Sequence, residues 1–419
     1  MLLSHKTSVK VNTDYSNIIG HMCYAAYKLW NVCNYERLHC KELSLPIDYP
    51  NWYYQKKAHK DDLWFKQLPS QSSQEVCKLL DKSWKSFYAL KKSHNIENPR
   101  PPRFKHEGIA ITYMQNAIVH KVNTDTIRLT LSKQLKEYMK NTYGICENFL
   151  YFKNQIFKNM DAIKQIKIYP PVKNECRIIV IYEIEDVKML PDNRKYLSID
   201  LGLHNLMTCY NSETGDSFIV GRKYLSLCHY YSKEIARVQS QWYRLQHLKG
   251  TTHPKSSKHI NRLHMEKNNA INDYLHKISR YIVTYCKNND INTVVIGDIT
   301  NIRKEKDFGH VTNQKFHALP YKKLYTLLEY KLRMKGINLI YQKESFSSQT
   351  SPLKPSVNKA NAKKSNRVYR GLYKDDGYTW NADSVGAFNI LRLHFEAKQI
   401  EKELNPFSIK TPYIVKVAA

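Results

Sequence analysis

Over residues 5 to 13 (His-Lys-Thr-Ser-Val-Lys-Val-Asn-Thr) side chains alternate between apolar and polar, the period of an edge or barrel strand. The period then changes. Ile18, Met22, Ala25, Ala26, Leu29 and Trp30 recur at helical spacing, and Val76, Leu79, Leu80, Phe87 and Leu90 make a second helical stripe within residues 72 to 92. Between them, Leu45 to Gln71 mixes aromatics, lysines and prolines, as a connection between helices does. Asn98-Pro-Arg-Pro-Pro-Arg-Phe-Lys105 breaks any helix and predicts an extended boundary segment on which Arg100, Arg103 and Lys105 can face phosphate. Residues 109 to 131 and 162 to 186 are rich in β-branched side chains and alternate in Thr126 to Leu131 and Cys176 to Glu183, with a helical piece near Lys133 to Tyr143.

From Tyr196 the pattern predicts a different layout. It runs strand, strand (Leu206 to Tyr210), turn (Ser212 to Asp216), strand (Phe218 to Gly221) and long helices over 223 to 288. A strand at 291 to 297, a helix at 321 to 335, a strand at 337 to 343 and a helix from Asp383 follow. A three-strand meander followed by alternating helices and strands is RNase H topology.

Length and charge narrow the function. The 419 residues suffice for two or three domains, and 66 Lys+Arg against 37 Asp+Glu leave a net charge of +29. An excess of that size, spread along the chain, predicts a long channel for a polyanion rather than one basic tail. Basic helices such as Tyr231 to Lys249 and Ser256 to Lys267 would face nucleic acid; the plainer alternative is a solvated charged face. Nine cysteines show no Cys-x-x-Cys spacing and none follows Cys286, which argues for reduced thiols in a cytoplasmic protein and against zinc. No signal pattern or long apolar run supports secretion or membrane insertion.

Candidate chemistry centres on Asp200. It sits in a dense apolar run (Leu197, Ile199, Leu201, Leu203), where a carboxylate needs a partner, and a divalent metal is the strongest available. Gly202 lets a ligand or a second backbone approach. The β run Ile291 to Asp298 and the amphipathic helix starting at Asp383 bring further acids into the same reading.

Taken in order, Ser-Ile-Asp-Leu-Gly, Val-Val-Ile-Gly-Asp-Ile, Ser-Gln-Thr, Arg-Gly-Leu-Tyr and Asn-Ala-Asp-x-x-Gly-Ala-x-Asn-Ile resemble TnpB, the RNA-guided nuclease of insertion sequences related to type V CRISPR effectors and Fanzor proteins. The resemblance is specific over residues 196 to 395 and looser before. It implies an α+β multidomain fold: an N-terminal β-barrel wedge domain (1–14 and 101–195), an inserted helical recognition domain (15–100), and a RuvC domain of RNase H-like α/β fold (196–419) with a basic insertion at 348–378. It also implies an RNA-guided DNA endonuclease with two Mg2+ ions, Mn2+ being possible, that acts with a guide RNA on target double-stranded DNA. A monomer in the cytoplasm of a prokaryote, off the membrane, is expected.

The family takes its second acid from the fourth strand as Glu-Asp-Leu, where this chain has Gly297-Asp298-Ile299. Strand alternation turns Asp298 to the opposite face, leaving it a fallback ligand. Glu344 ends the neighbouring fifth strand and is the better candidate. The expected metal set is therefore Asp200 bridging both ions with Glu344 and Asp383 flanking, as in relocated-glutamate relatives. The family's zinc ribbon is replaced by an insertion without cysteine, in which Lys359, Lys363, Lys364, Arg367 and Arg370 predict a mobile basic loop over the site that orders on nucleic acid. Two other functions compete: RNA-guided DNA binding without cleavage, as in a repressor, and a guide-independent structure-selective nuclease.

Overall fold

Asn12 separates the first strand, β1 (Leu2–Lys10), from the first helix, α1 (Thr13–Leu38), by accepting a hydrogen bond from the Tyr15 backbone N–H at 2.7 Å. The computed structural model describes residues 1–93, 96–300, 320–369 and 371–417. They divide into two units, Met1–Asp186 and Val187–Ala419.

In the first unit, α1 buries Ile18, Met22, Ala25, Ala26, Leu29 and Trp30, the stripe read from the sequence. After α2 (Trp52–Ala58) and α3 (Leu63–Lys66), α4 (Ser70–Ser93) packs on α1 through Val76, Cys77, Leu80 and Trp84. Leu79 and Leu90, expected in that stripe, are exposed, because Leu79 lies off the buried face and the last turns of α4 outrun the core. The chain continues through β2 (Ile111–Met114), β3 (Ile118–His120), β4 (Thr126–Thr130), α5 (Lys133–Tyr143), β5 (Phe149–Lys153), β6 (Ala162–Ile168) and β7 (Glu175–Glu183). Gly144, left-handed at φ 69°, ends α5.

These strands form two antiparallel sheets, ordered β1-β7-β6-β2 and β3-β4-β5, over one core. The expected barrel is not closed among the described residues. A 3-10 turn at Gln115–Ala117 carries the chain from β2 in one sheet to β3 in the other, so the ladder breaks there.

The proline segment is held extended by α1. Asn31 exchanges two bonds with the Lys105 backbone, each 2.8 Å, while Trp30 Nε1 donates to Arg103 O and Asn34 Nδ2 to Pro102 O. Arg100 and Arg103 are left exposed, and Lys105 Nζ lies 4.8 Å from the Trp30 ring centre.

The second unit is built on one mixed sheet. Its strands are β8 (Tyr196–Asp200), β9 (Met207–Asn211), β10 (Ser217–Val220), β11 (Thr293–Gly297) and β12 (Asn338–Gln342), with the short β15 (Tyr413–Ile414) at the edge. The order is β12-β11-β8-β9-β10-β15, with β8-β9-β10 antiparallel and β8, β11 and β12 parallel. Between β10 and β11 run α6 (Lys223–Leu248) and α7 (Lys258–Asn288), and α8 (Tyr321–Arg333) precedes β12. A hairpin of β13 (Leu372–Asp375) and β14 (Tyr378–Asn381) then leads into α9 (Ala382–Lys398).

Strand alternation sorts the faces. Leu197, Ile199, Val294, Ile296 and Leu339 pack with Ile278 and Ile282 of α7 and Leu324 and Leu328 of α8. Tyr196 and Val295 pack on the other face with Val385, Phe388 and Leu391 of α9. By the same period of two, Asp200 and Gly297 belong to the α9 face and Asp298 to the α8 face.

A buried polar network also ties α1, α2 and α4 together. Arg37 pairs with Asp81 at 2.9 Å, Gln55 bridges Arg37 and Glu36, and His59 joins Glu36 (3.1 Å) to Asp62 (2.6 Å). Burial opposes a charge on His59, but its hydrogen bonds to Glu36 and Asp62 outweigh that and push its pKa up to about 9. A raised histidine stabilises the fold fully below its unfolded pKa near 6.5, and that contribution is lost as pH rises through about 9. His59→Gln is therefore expected to remove on the order of 2 kcal/mol at pH 6 and almost nothing at pH 10. Urea unfolding at both pH values checks this; equal losses would refute the coupling.

Candidate active site

Three carboxylates approach the α9 face at the ends of the parallel strands. Asp200 closes β8, Glu344 lies two residues past β12, and Asp383 is in the first turn of α9. The helix begins there because Asn381 caps it, accepting from Asp383 N at 3.0 Å and Ser384 N at 3.2 Å.

Two glycines make room for two of these acids. A Cβ at Gly386, one turn into α9, would stand 2.5 Å from Asp200 Oδ2, so glycine there makes room for the half-buried carboxylate beside the helix backbone. A Cβ at Gly297 would collide with Glu344 Oε2. The Glu344 carboxyl thus lies over the position where a side chain from β11 would otherwise project. Tyr325 of α8 fixes that strand end, its hydroxyl donating to Gly297 O at 2.7 Å and accepting from Ile299 N at 3.2 Å. Asp298 turns away and accepts from Thr300 N at 2.9 Å.

The electrostatics of the group are unbalanced. Burial first, then the negative charge of Asp383, pushes Asp200 up to about 7, with Arg367 opposing. Burial first, then Asp200 and Asp298, pushes Glu344 up to about 8. Among the described residues Glu344 Oε2 is buried without a hydrogen-bond partner. Asp383 is engaged: Arg367 Nη2 lies 3.1 Å from Oδ1, and Asn205 Nδ2 donates to Oδ2 at 2.8 Å. Among the described residues no three His, Cys, Asp or Glu side chains gather closely enough to hold one metal ion in this arrangement. The donors are nonetheless hard carboxylate oxygens, one of them orphaned in the interior, and that chemistry fits a divalent cation such as magnesium.

Beside Asp383 opens a cleft of about 770 Å³ whose lining includes Arg222, His229 and Gly371. Arg367 comes from the basic insertion, for which a mobile loop is expected; its described residues are tied by turns and hydrogen bonds. Thr350 bridges Ala362, Lys363 N donates to Gln349 O, and α9 grips the segment from below. Asn389 Nδ2 donates to Ser347 O and Thr350 O, each at 2.8 Å, and Arg392 reaches Ser351 O and Lys354 O. Lys359, Lys363 and Lys364 are exposed; Arg370 lies outside the described residues.

Sequence reasoning did not reach Asn205 or Tyr325, and it held Gly386 only as one position of the Asn-Ala-Asp-x-x-Gly motif, without its packing role. Only Gly386 carried a signal, as a glycine inside a helical pattern one turn after an acid.

Comparison with known proteins bears on this site. Residues 179–303 match a family described as probable transposase (OrfB of IS605), and residues 321–390 match the Cas12f1-like TNB domain. Over these two stretches the chain is similar to the transposase OrfB and Cas12f1-like TNB families. Its mixed α+β fold resembles a Cas12f1–sgRNA–target DNA complex, with TM-score 0.58 at 13% identity over 90% of this chain and 83% of that one. A CRISPR–Cas12f ternary complex (TM-score 0.36, 15% identity, 90% and 82% covered) and CasPhi-2 bound to crRNA and phosphorothioate DNA (0.41, 10%, 96% and 93%) are more distant. No curated protein matches the chain. Among its described residues no helix is long and apolar enough to cross a membrane.

An acid whose folded pKa is raised costs stability above its unfolded value near 4, increasingly until the folded pKa is passed. In chelator, Glu344→Gln is therefore expected to raise the melting temperature relative to the parent at pH 8.5, by on the order of a few kcal/mol in stability, with a smaller gain or a loss at pH 4.5. Added Mg2+ should stabilise the parent and not the variant. A pH-independent difference between the two proteins would show that Glu344 is not the strained acid.

Proposed function

We propose that this chain is an RNA-guided DNA endonuclease. In this reading Val187–Ala419 is a RuvC-type domain, supported by the sheet order β12-β11-β8-β9-β10, and Met1–Asp186 comprises the wedge and its helical recognition insertion. The observation that carries the proposal is the Glu344 carboxyl lying over Gly297 on the same sheet face as Asp200, with one buried oxygen unpaired. A chain that had lost cleavage would have no reason to keep an uncompensated acid there.

Asp200, Glu344 and Asp383 would hold two Mg2+ ions, with Mn2+ as a substitute. When bound, such ions supply an activated water and charge neutralisation at the leaving oxygen. The protein's own part is positional. Asp200 is held against the α9 backbone by Gly386, Glu344 is supported by the β11 end that Tyr325 anchors, and Asn205 orients Asp383. Arg367, released from Asp383, can turn to the phosphate of a strand lying in the cleft. Guide pairing would read sequence, and the basic first unit would contact the nucleic-acid backbone, with Arg100, Arg103 and Lys105 on their clamped segment among the contacts. Lys363, Lys364, Arg367 and Arg370 of the insertion would do the same near the cleft. The rival reading, guided binding without cleavage, keeps the same surfaces and needs no acid to be essential.

With purified ribonucleoprotein, Asp200→Ala, Glu344→Gln and Asp383→Ala are each expected to lower target cleavage on the order of 100-fold or more while binding stays nearly intact. Asp298→Asn should cost little. Gly297→Glu alone should be inactive from its collision with Glu344, and Gly297→Glu combined with Glu344→Gly should recover part of the activity. Full cleavage by Glu344→Gln would sink the assignment.

A further inference from the structure

Far along the chain from the carboxylates, α1, α3 and α5 border an open cavity of about 540 Å³ in the first unit, a size suited to a small ligand group. Its walls are aromatic. Tyr24 meets Trp64 edge-on at 5.5 Å, His21 stacks on Tyr138 at 4.4 Å and 24°, and Tyr143 completes the lining. Rings gathered only for a core would be covered, yet Tyr24 is 40% and Tyr143 55% exposed.

The polar groups here are uncharged. Gln67, only 4% exposed, hydrogen-bonds His21 Nε2 at 3.2 Å, and burial, the larger effect, holds the imidazole pKa down. Asn17 and Ser16 add an amide and a hydroxyl at the rim, and no lining residue is acidic. A cation stands beside the rings: Lys28 Nζ lies 5.3 Å from the ring centres of both Tyr24 and Tyr27.

We infer that this cavity receives one unstacked nucleobase from a single-stranded segment of nucleic acid, its ring against Tyr24, Trp64 and Tyr138, its edge toward Gln67 and Asn17, and its phosphate toward Lys28. A neutral aromatic slot beside a cation suits a flat, polar-edged ring on an anionic backbone, and the net charge of +29 supplies the attraction that brings the strand there. An apolar protein side chain would gain nothing from the buried amide or from Lys28. The inference rests on the nucleic-acid-binding half of the proposed function and not on cleavage.

The test uses the full chain and short single strands carrying 5-iodouracil, as RNA and as DNA. Photocrosslinks mapped by mass spectrometry are expected at Tyr24, Trp64 or Tyr138. Crosslinks with RNA assign the pocket to the guide, and crosslinks with DNA assign it to a DNA strand opened from its duplex. Tyr24→Ala with Trp64→Ala should weaken binding of the same strands roughly 5- to 100-fold, the loss of one base stack. The salt dependence should stay unchanged, because no phosphate contact is removed, and Tyr24→Phe with Trp64→Phe should restore affinity. Tight binding with no crosslink in the pocket and no loss in the alanine variant would overturn the inference while leaving the nucleic-acid reading standing. Absence of any binding by the parent chain would overturn both.

Discussion

The second unit is arranged around a half-buried carboxylate lying against a helix backbone. Asp200 needs the α9 face because its strand alternates, and it fits there because Gly386 presents no side chain. Everything next to that contact follows from it. Phe388 and Leu391 must seat on the sheet at that separation, the Asn381 cap must start the helix one turn earlier, and Asp383 then arrives beside Asp200 close enough to raise its pKa. A methyl at position 386 would stand 2.5 Å from Asp200 Oδ2, so the carboxylate, the helix or both would have to shift.

Gly297 works by the same logic on the neighbouring strand. A glutamate projecting from β11 and a glutamate reaching back from beyond β12 would compete for one space, and the chain holds the second. The exchange is possible because β11 and β12 are parallel and in register, with Gly297 opposite Gln342, so a residue two positions further on can fold back over the glycine. The insertion that follows needs another fastening in the absence of cysteines. Asn389 and Arg392 supply it from α9 by hydrogen-bonding the carbonyls of Ser347, Thr350, Ser351 and Lys354. Hydrogen bonds to a helix of the sheet core couple the insertion to the helix that carries Asp383, a link that zinc held within the insertion would not by itself make.

How much of this was legible depended on whether the signal was local. Period-two alternation gave the face of Asp200, Gly297 and Asp298 directly, and the strand lengths brought Glu344 to the right end of the sheet. The helical piece near Lys133 to Tyr143 was legible from its pattern, and a serine cap and a left-handed glycine bound it in the structure. Contacts assembled from distant segments left no periodic trace. Arg367 with Asp383, Asn205 with Asp383, and the rings of Tyr24, Trp64 and Tyr138 are each brought together only by tertiary packing. The barrel failed for a related reason. Alternation predicts strands but says nothing of where a ladder ends, and here three residues of 3-10 turn divide one sheet from the next.

Arg367 decides whether the carboxylate group is a stable structural cluster or one waiting for other charge. Two acids with raised pKa values and one orphaned oxygen are poorly compensated by a single guanidinium that touches neither Asp200 nor Glu344. That guanidinium is itself loosely held. The Arg367 side chain is 36% exposed and Asp383 20%, so solvent screens the pair and its worth is about 1 kcal/mol or less. A structural salt bridge closing a buried acid cluster would be shielded from water, as Arg37 and Asp81 are at 1% and 3% exposure. The Arg367 contact has the opposite character. It offsets charge on Asp383 at low cost of removal, which is what a site must do if Asp383 is to exchange an arginine for a cation and a substrate phosphate is then to meet the arginine.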